Sequence, residues 1–169
     1  MKKMTKFSRI WIKVRMMLIP DGPHGDRQRG KLYEPYLKQC GKNFKIATQA
    51  FIFNPNGLSL GDDVYIGFNS YLGEGEIILQ NEVLIGNFVS LTASNHLAKN
   101  GSFRFGGNEQ KSICIGRGTW VAAHACVLAG VQIGSGCLVA AGAIVTKSFS
   151  DNVVIAGMPA QEIKKIAYE

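Results

Sequence analysis

Cysteine, histidine and charged side chains are all sparse in this chain of 169 residues. The four cysteines, Cys40, Cys114, Cys126 and Cys137, show no CxxC spacing and no paired framework. That argues against a disulfide scaffold and predicts reduced thiols. The histidines are His24, His96 and His124, and no two stand close enough in sequence for a three-histidine zinc site. No metal is expected. No apolar run is long enough to cross a bilayer. The basic N-terminus lacks the long apolar core and small-residue cleavage site of a secretory signal. Charged residues make up only 18% of the chain, yet the formal net charge is +7. Such a balance favours an anionic partner, whether a phosphorylated cofactor, a nucleotide sugar or an acidic membrane surface. No RNA- or DNA-binding motif accompanies it, so no nucleic-acid partner is expected.

What the chain does have is a six-residue repeat. Leu60, Ile66 and Leu72 are six apart, as are Leu79, Ile85 and Leu91. The longest run is Ile115, Val121, Val127, Ile133, Val139 and Val145. The next position is usually small, as at Gly61, Gly67, Gly86, Gly116, Ala122 and Gly134. Four positions after the aliphatic residue stand Val64, Ser70, Thr119, Ala125 and Cys137, all small or β-branched. An antiparallel sheet protein would alternate with period two between irregular turns. A sustained period of six is instead the signature of a parallel β-helix. Each hexad forms a short strand and a corner, and three hexads form a triangular coil. The aliphatic residue points inward onto its equivalent in the next coil, about 4.8 Å away. The glycines are expected to relieve crowding where the backbone turns.

The flanks differ from the repeat. Residues 1–42 read as a helical segment. Within it, Phe7, Ile10, Trp11, Val14, Met17 and Leu18 alternate with Lys6, Arg9, Lys13 and Arg15 up to Pro20. This first helix is either a cap on the open end of the coil or an interfacial helix for an anionic membrane. A loop is expected over 21–26 and a second short helix over 27–39. The β-helix is assigned to 43–157 and a C-terminal helix to 158–169. A step of seven between Leu72 and Leu79 predicts a bulge within Gly73, Glu74, Gly75 and Glu76. Residues 95–112 contain no hexad and are polar and glycine-rich. A long loop thrown out of a rigid scaffold is usually functional.

Several stretches carry a more specific resemblance. They are the hexads, His96 at the head of the loop, Ile115-Gly116-Arg117-Gly118-Thr119-Trp120-Val121, Gly142-Ala143-Ile144-Val145-Thr146-Lys147 and Ala156-Gly157-Met158-Pro159-Ala160. Together they resemble the hexapeptide-repeat acyltransferases, and are most similar to the galactoside, maltose and polysaccharide O-acetyltransferases. The resemblance implies an all-β fold, a left-handed parallel β-helix with short N-terminal and C-terminal helices. Handedness rests on the resemblance alone, because ordinary parallel crossovers are right-handed. It further implies a homotrimer with active sites between subunits and acetyl-CoA as the donor substrate. His96 matches the family's catalytic base, and Trp120 the aromatic that lines the acceptor pocket. Ala123, Ala141, Thr146 and Lys147 match positions that hold coenzyme A. Gln161 follows the Pro-Ala pair, which leaves Lys164 or Lys165 to approach the nucleotide phosphates. On the acceptor side, Asn69 is the nearest substitute for a family asparagine, and Glu74 or Glu76 for an acidic partner.

The chemistry fits those assignments. An acetyl thioester is already activated, whereas a sugar hydroxyl is a poor nucleophile. A positioned imidazole can take the hydroxyl proton during attack, and the resulting oxyanion needs a fixed donor. No covalent acyl-enzyme is required, so no cysteine need act. The expected function is O-acetylation of a sugar hydroxyl in surface polysaccharide biosynthesis. The acceptor would be a sugar, a nucleotide sugar or a lipid-linked saccharide. The alternative is N-acetylation of a nucleotide-linked amino sugar, in which a base matters less. A non-enzymatic β-helix scaffold ranks third. His24, in a Gly-Pro turn, and His124, within a hexad, read as solvent-facing or interface residues. The expected location is the cytoplasm, with peripheral contact of residues 1–19 at the inner face of the membrane.

Overall fold

The computed structural model describes residues 2–167. The strands of its triangular coils are two or three residues long. Coil one holds β1 (Gln39–Cys40), β2 (Lys45–Ile46) and β3 (Phe51–Ile52). Coil two holds β4 (Leu58–Leu60), β5 (Tyr65–Ile66) and β6 (Tyr71–Leu72). Coil three holds β7 (Ile77–Leu79), β8 (Leu84–Ile85) and β9 (Ser90–Thr92). The strands β10 (Ser94–His96) and β11 (Asn108–Gln110) then leave the coil as a hairpin. Coil four resumes with β12 (Ile113–Ile115), β13 (Trp120–Val121) and β14 (Cys126–Leu128). Coil five holds β15 (Gln132–Ile133), β16 (Leu138–Val139) and β17 (Ile144–Val145), and β18 (Val153–Gly157) and β19 (Ala160–Lys165) close the end.

Equivalent strands of successive coils pair in parallel and make three faces. Face A is β1-β4-β7-β12-β15, face B is β2-β5-β8-β13-β16-β18-β19, and face C is β3-β6-β9-β14-β17. The hexad period sets the register. On face B, Ile46 pairs with Ile66, Ile66 with Ile85, Ile85 with Val121, Val121 with Val139 and Val139 with Ile155. Every one of these side chains is fully buried. Burying an aliphatic side chain of this size contributes about 1.5–3 kcal/mol, so the interior ladder is the main stabilising element. Two buried hydroxyls help to hold the corners. The Thr119 hydroxyl donates to the Gly134 carbonyl at 2.7 Å and accepts from the Cys137 amide at 3.0 Å. The Ser70 hydroxyl does the same between Gly86 and Val89.

The glycines after the aliphatic residues serve a different purpose from the expected one. A Cβ at Gly116 would lie 2.4 Å from the Gly134 carbonyl carbon, and one at Gly67 would lie 2.6 Å from that of Gly86. These glycines let one coil's backbone rest on the next. The turning itself falls two residues later, on left-handed Asp63 (φ 58), Asn69 (φ 55), Phe88 (φ 58) and His124 (φ 61). Asn and Asp tolerate that region, whereas Phe88 and His124 are held there by the scaffold.

The ends also depart from expectation. The first helix, α1 (Lys6–Leu18), begins at a capping box between Thr5 and Ser8. The second, α2 (Pro23–Tyr33), starts inside the segment read as a loop, because Pro23 occupies its first turn, where a missing N–H costs nothing. A short 3-10 turn, Glu34–Tyr36, follows it. The expected C-terminal helix over 158–169 is corrected: Ala160–Lys165 is strand β19, antiparallel to β18, and residues 168 and 169 lie outside the described residues. The last coil leaves a row of unpaired backbone groups, and the returning strand satisfies them. Pairing overrides the helical propensity of Gln161, Glu162, Lys164 and Lys165.

The fully buried Arg29 ties α2 to the segment that joins it to α1. Its guanidinium donates to Asp21 Oδ1 at 2.8 Å and to the Pro20 carbonyl at 3.2 Å, and lies 3.5 Å from Asp26 Oδ1. Arg29→Ala is expected to cost about 3 kcal/mol through the cavity and the lost ion pairs. A urea unfolding curve with a lowered midpoint would show it.

Candidate active site

The segment 95–112 is a built element. Ser94 pairs with Gln110, Asn95 with Glu109 and His96 with Asn108. At the tip, Asn100 (φ 50) and Gly101 (φ 75) make a two-residue turn, closed by hydrogen bonds of 2.9 and 3.0 Å between Lys99 and Ser102. Asn-Gly is the preferred pair for such a turn, and this signal was available in the sequence. Phe103 and Phe105 stand out from the hairpin, both strongly exposed.

The hairpin leaves the prism at the edge where face C turns to face A. Cross-strand partners and residues two apart share one side of a ribbon, so Ser94, His96 and Asn108 lie together. Asn108 Nδ2 donates to Glu74 Oε2 at 2.9 Å and to Ser94 Oγ at 3.4 Å. Glu74 comes from the expected bulge, where Gly75 adopts φ +95. The bulge thus supports the strand that faces His96. Asn108 was missed by sequence reading, since only the hairpin register places it opposite the histidine. The other acid of the bulge, Glu76, is engaged elsewhere, in a 2.5 Å ion pair with Lys38.

The residues assigned to coenzyme A flank face C in coils four and five. Ala123 and Ala141 stack on the edge between faces B and C, where the Gly142 amide donates to the Ala123 carbonyl at 2.9 Å. Thr146 and Lys147 follow β17, on the same C–A edge as the hairpin. Lys147 Nζ donates to Gln161 Oε1 at 2.5 Å and lies 5.6 Å from the Phe149 ring centroid. Lys164 and Lys165 pair with Val154 and Val153, toward the opposite edge of face B. The strand β19 meets Lys147 at Gln161, and Lys164 and Lys165 lie further along it. Asn69 sits on the B–C edge in coil two as an exposed corner residue. Among the described residues no group of three or more His, Cys, Asp or Glu side chains is arranged to hold a metal ion. Burial pushes the Cys126 thiol on face C up, with Ser90 opposing. A protonated thiol there is a poor nucleophile.

Trp120 stands apart from His96. It is the outward residue of β13 on face B, 46% exposed, paired with Leu84 and Leu138. In a triangular prism, face B lies opposite the C–A edge, with the aliphatic core between. One chain therefore cannot bring His96 and Trp120 to the same acceptor. The outer surface of face B and its edge with C is unusually apolar. Leu84 and Trp120 are exposed, and Phe88 stacks on His124 with ring centroids 4.8 Å apart. His24, by contrast, hydrogen-bonds Gln28 at 2.8 Å on α2.

The chain matches the profile of the bacterial transferase hexapeptide family (six repeats) over residues 115–147. It is 27% identical over 145 residues to the galactoside O-acetyltransferase of Escherichia coli (strain K12), spanning 85% of this chain and 71% of that protein. It is 32% identical over 149 residues to a Staphylococcus aureus (strain COL) protein provisionally named an acetyltransferase, spanning 85% of this chain and 73% of that protein. Among solved structures, a galactoside acetyltransferase in complex with coenzyme A superposes with a TM-score of 0.81 at 25% identity, over 98% of this chain and 86% of that chain. The short parallel strands, the three-faced coil and the hexad register are those of a left-handed β-helix. The chain belongs to the hexapeptide-repeat acyltransferase family.

Proposed function

We propose that this protein transfers the acetyl group of acetyl-CoA to a sugar hydroxyl, with His96 as the general base. The observation that carries the reading is the hairpin, which holds His96 opposite Asn108 and braces Asn108 on Glu74. The similarity to a galactoside O-acetyltransferase supports a sugar acceptor. In the reaction, the hydroxyl oxygen attacks the thioester carbonyl carbon while the imidazole takes its proton. The tetrahedral intermediate then breaks the carbon–sulfur bond. The departing thiolate recovers the proton from the imidazolium, giving an O-acetyl sugar and free coenzyme A. A role in surface polysaccharide synthesis would follow from a saccharide acceptor of that kind.

The working unit is a homotrimer. His96 and Trp120 lie on opposite sides of one prism, so a pocket containing both needs Trp120 from a second copy. The outward Leu84, Trp120 and Phe88 supply an apolar surface for that copy to cover. Light scattering should give the mass of three chains of 18.4 kDa. A monomer with full activity would contradict this arrangement.

Acetyl-CoA and free coenzyme A should each raise the melting temperature as their concentration rises. Lys147→Ala should weaken both by about tenfold, the size expected for losing one charge-assisted contact to a phosphate. Absence of any shift with either ligand would remove the donor assignment.

A further inference from the structure

The first helix carries two apolar faces. Ile12 and Met16, four apart, are buried against the body of the protein. Phe7, Ile10, Trp11, Val14, Met17 and Leu18 form a second stripe, about 120° wide on a helical wheel and opposite the buried pair. All six are exposed, Phe7 at 79% and Met17 at 83%. A cap on the coil uses only the first face. The second runs the whole length of a helix of 13 residues, about 20 Å, and stays exposed, with the Arg15 guanidinium 5.1 Å from the Trp11 ring centroid.

The charge of the molecule is gathered around this stripe. Lys2, Lys3, Lys6, Arg9, Lys13 and Arg15 lie in the first 20 residues, and the first acidic residue is Asp21. The chain holds 19 basic and 12 acidic side chains in total, so the remainder is nearly neutral. On the wheel, Lys6 and Lys13 border the stripe on one side and Arg15 on the other. Lys2 and Lys3, both exposed, precede the helix. An apolar stripe edged by cations matches an anionic lipid surface in both chemistry and sign. The helix is too short to span: no helix among the described residues is long and apolar enough to cross a membrane.

We propose that α1 lies in the interfacial plane of an anionic phospholipid bilayer. Its outward stripe sits at the acyl boundary, and Lys2, Lys3, Lys6 and Arg15 sit at the headgroup phosphates. The buried face keeps the β-helix attached, so the catalytic body is held against the membrane surface. The assignment is independent of acetyl transfer, because none of these residues belongs to the candidate active site.

The full chain should sediment with phosphatidylcholine vesicles that contain phosphatidylglycerol and not with phosphatidylcholine vesicles alone. Combining Lys2→Gln, Lys3→Gln and Lys6→Gln should lower the partition coefficient roughly a hundredfold, from about 1 kcal/mol per cation at the surface. Combining Phe7→Ser with Met17→Ser should abolish sedimentation while leaving the solution mass unchanged. Failure of the unaltered chain to bind the anionic vesicles would overturn the proposal, as would binding indifferent to both sets of substitutions. A fall in solution mass in the Phe7 and Met17 variant would also overturn it, assigning the stripe to contacts between copies.

Discussion

His96→Ala should lower kcat/KM for acetyl transfer by about a hundred- to ten-thousandfold, the usual contribution of a positioned general base. Coenzyme A affinity should not change, because the residues assigned to it come from coils four and five, whereas the hairpin leaves coil three. The loss should therefore appear in kcat, measured by thiol release at saturating acetyl-CoA. Asn108→Ala should act in the same direction and less strongly, since Asn108 positions the strand opposite His96 through its 2.9 Å bond to Glu74. Glu74→Gln tests the same link from the other end and should keep the fold intact, because its partner is an exposed amide. A sugar amine needs less help in losing a proton than a hydroxyl. A His96→Ala defect of only a few fold would accordingly favour the N-acetyl reading.

Gly116→Val should be strongly destabilising, because Gly116 is buried where one coil rests on the next. Its Cβ would lie 2.4 Å from the carbonyl carbon of Gly134 and 2.4 Å from the amide nitrogen of Ser135. Both are backbone atoms of the next coil and cannot rotate away. The Gly116 amide also donates to the Ile133 carbonyl at 2.8 Å, so separating the coils breaks the ladder. A loss of about 4 kcal/mol or more is expected, beyond ordinary overpacking. Gly118→Ala, two residues on, provides the contrast. Its Cβ meets nothing within 4 Å, but φ is +67, so the cost is limited to left-handed strain of about 1–2 kcal/mol. Chemical denaturation of the two variants separates close approach from backbone conformation as the reason for each glycine.

That contrast also separates what is local in the sequence from what only the fold brings together. The period of six identified the interior residues, and Ile66, Ile85, Val121 and Val139 are stacked and buried as the repeat requires. The step of seven located the bulge that carries Glu74. The role of the small position was misread, because close coil-to-coil contact is a relation between residues about 18 apart, as at Gly116 and Gly134, and leaves no local mark. The C-terminal strand was misread for a similar reason. Gln161 to Lys165 has the local composition of a helix, and only the unpaired edge of β18 makes it a strand. At the site, His96 was legible from its position at the head of the non-repeating segment. Asn108 was not, because it depends on hairpin register. The resemblance assigns Lys164 or Lys165 to the phosphates, and the antiparallel return sets them opposite Val154 and Val153 on face B. The outward stripe of α1 was visible as amphipathicity, but only burial shows that it opposes the face packed on the coil.

The most direct measurement is acceptor-dependent release of coenzyme A thiol from acetyl-CoA, with a galactoside as the first acceptor and the product's new bond identified by its lability to mild base. Release that requires the sugar, yields a base-labile ester and collapses in His96→Ala is the predicted result. A base-stable amide formed only with amino sugars, at a rate indifferent to His96, would contradict the account.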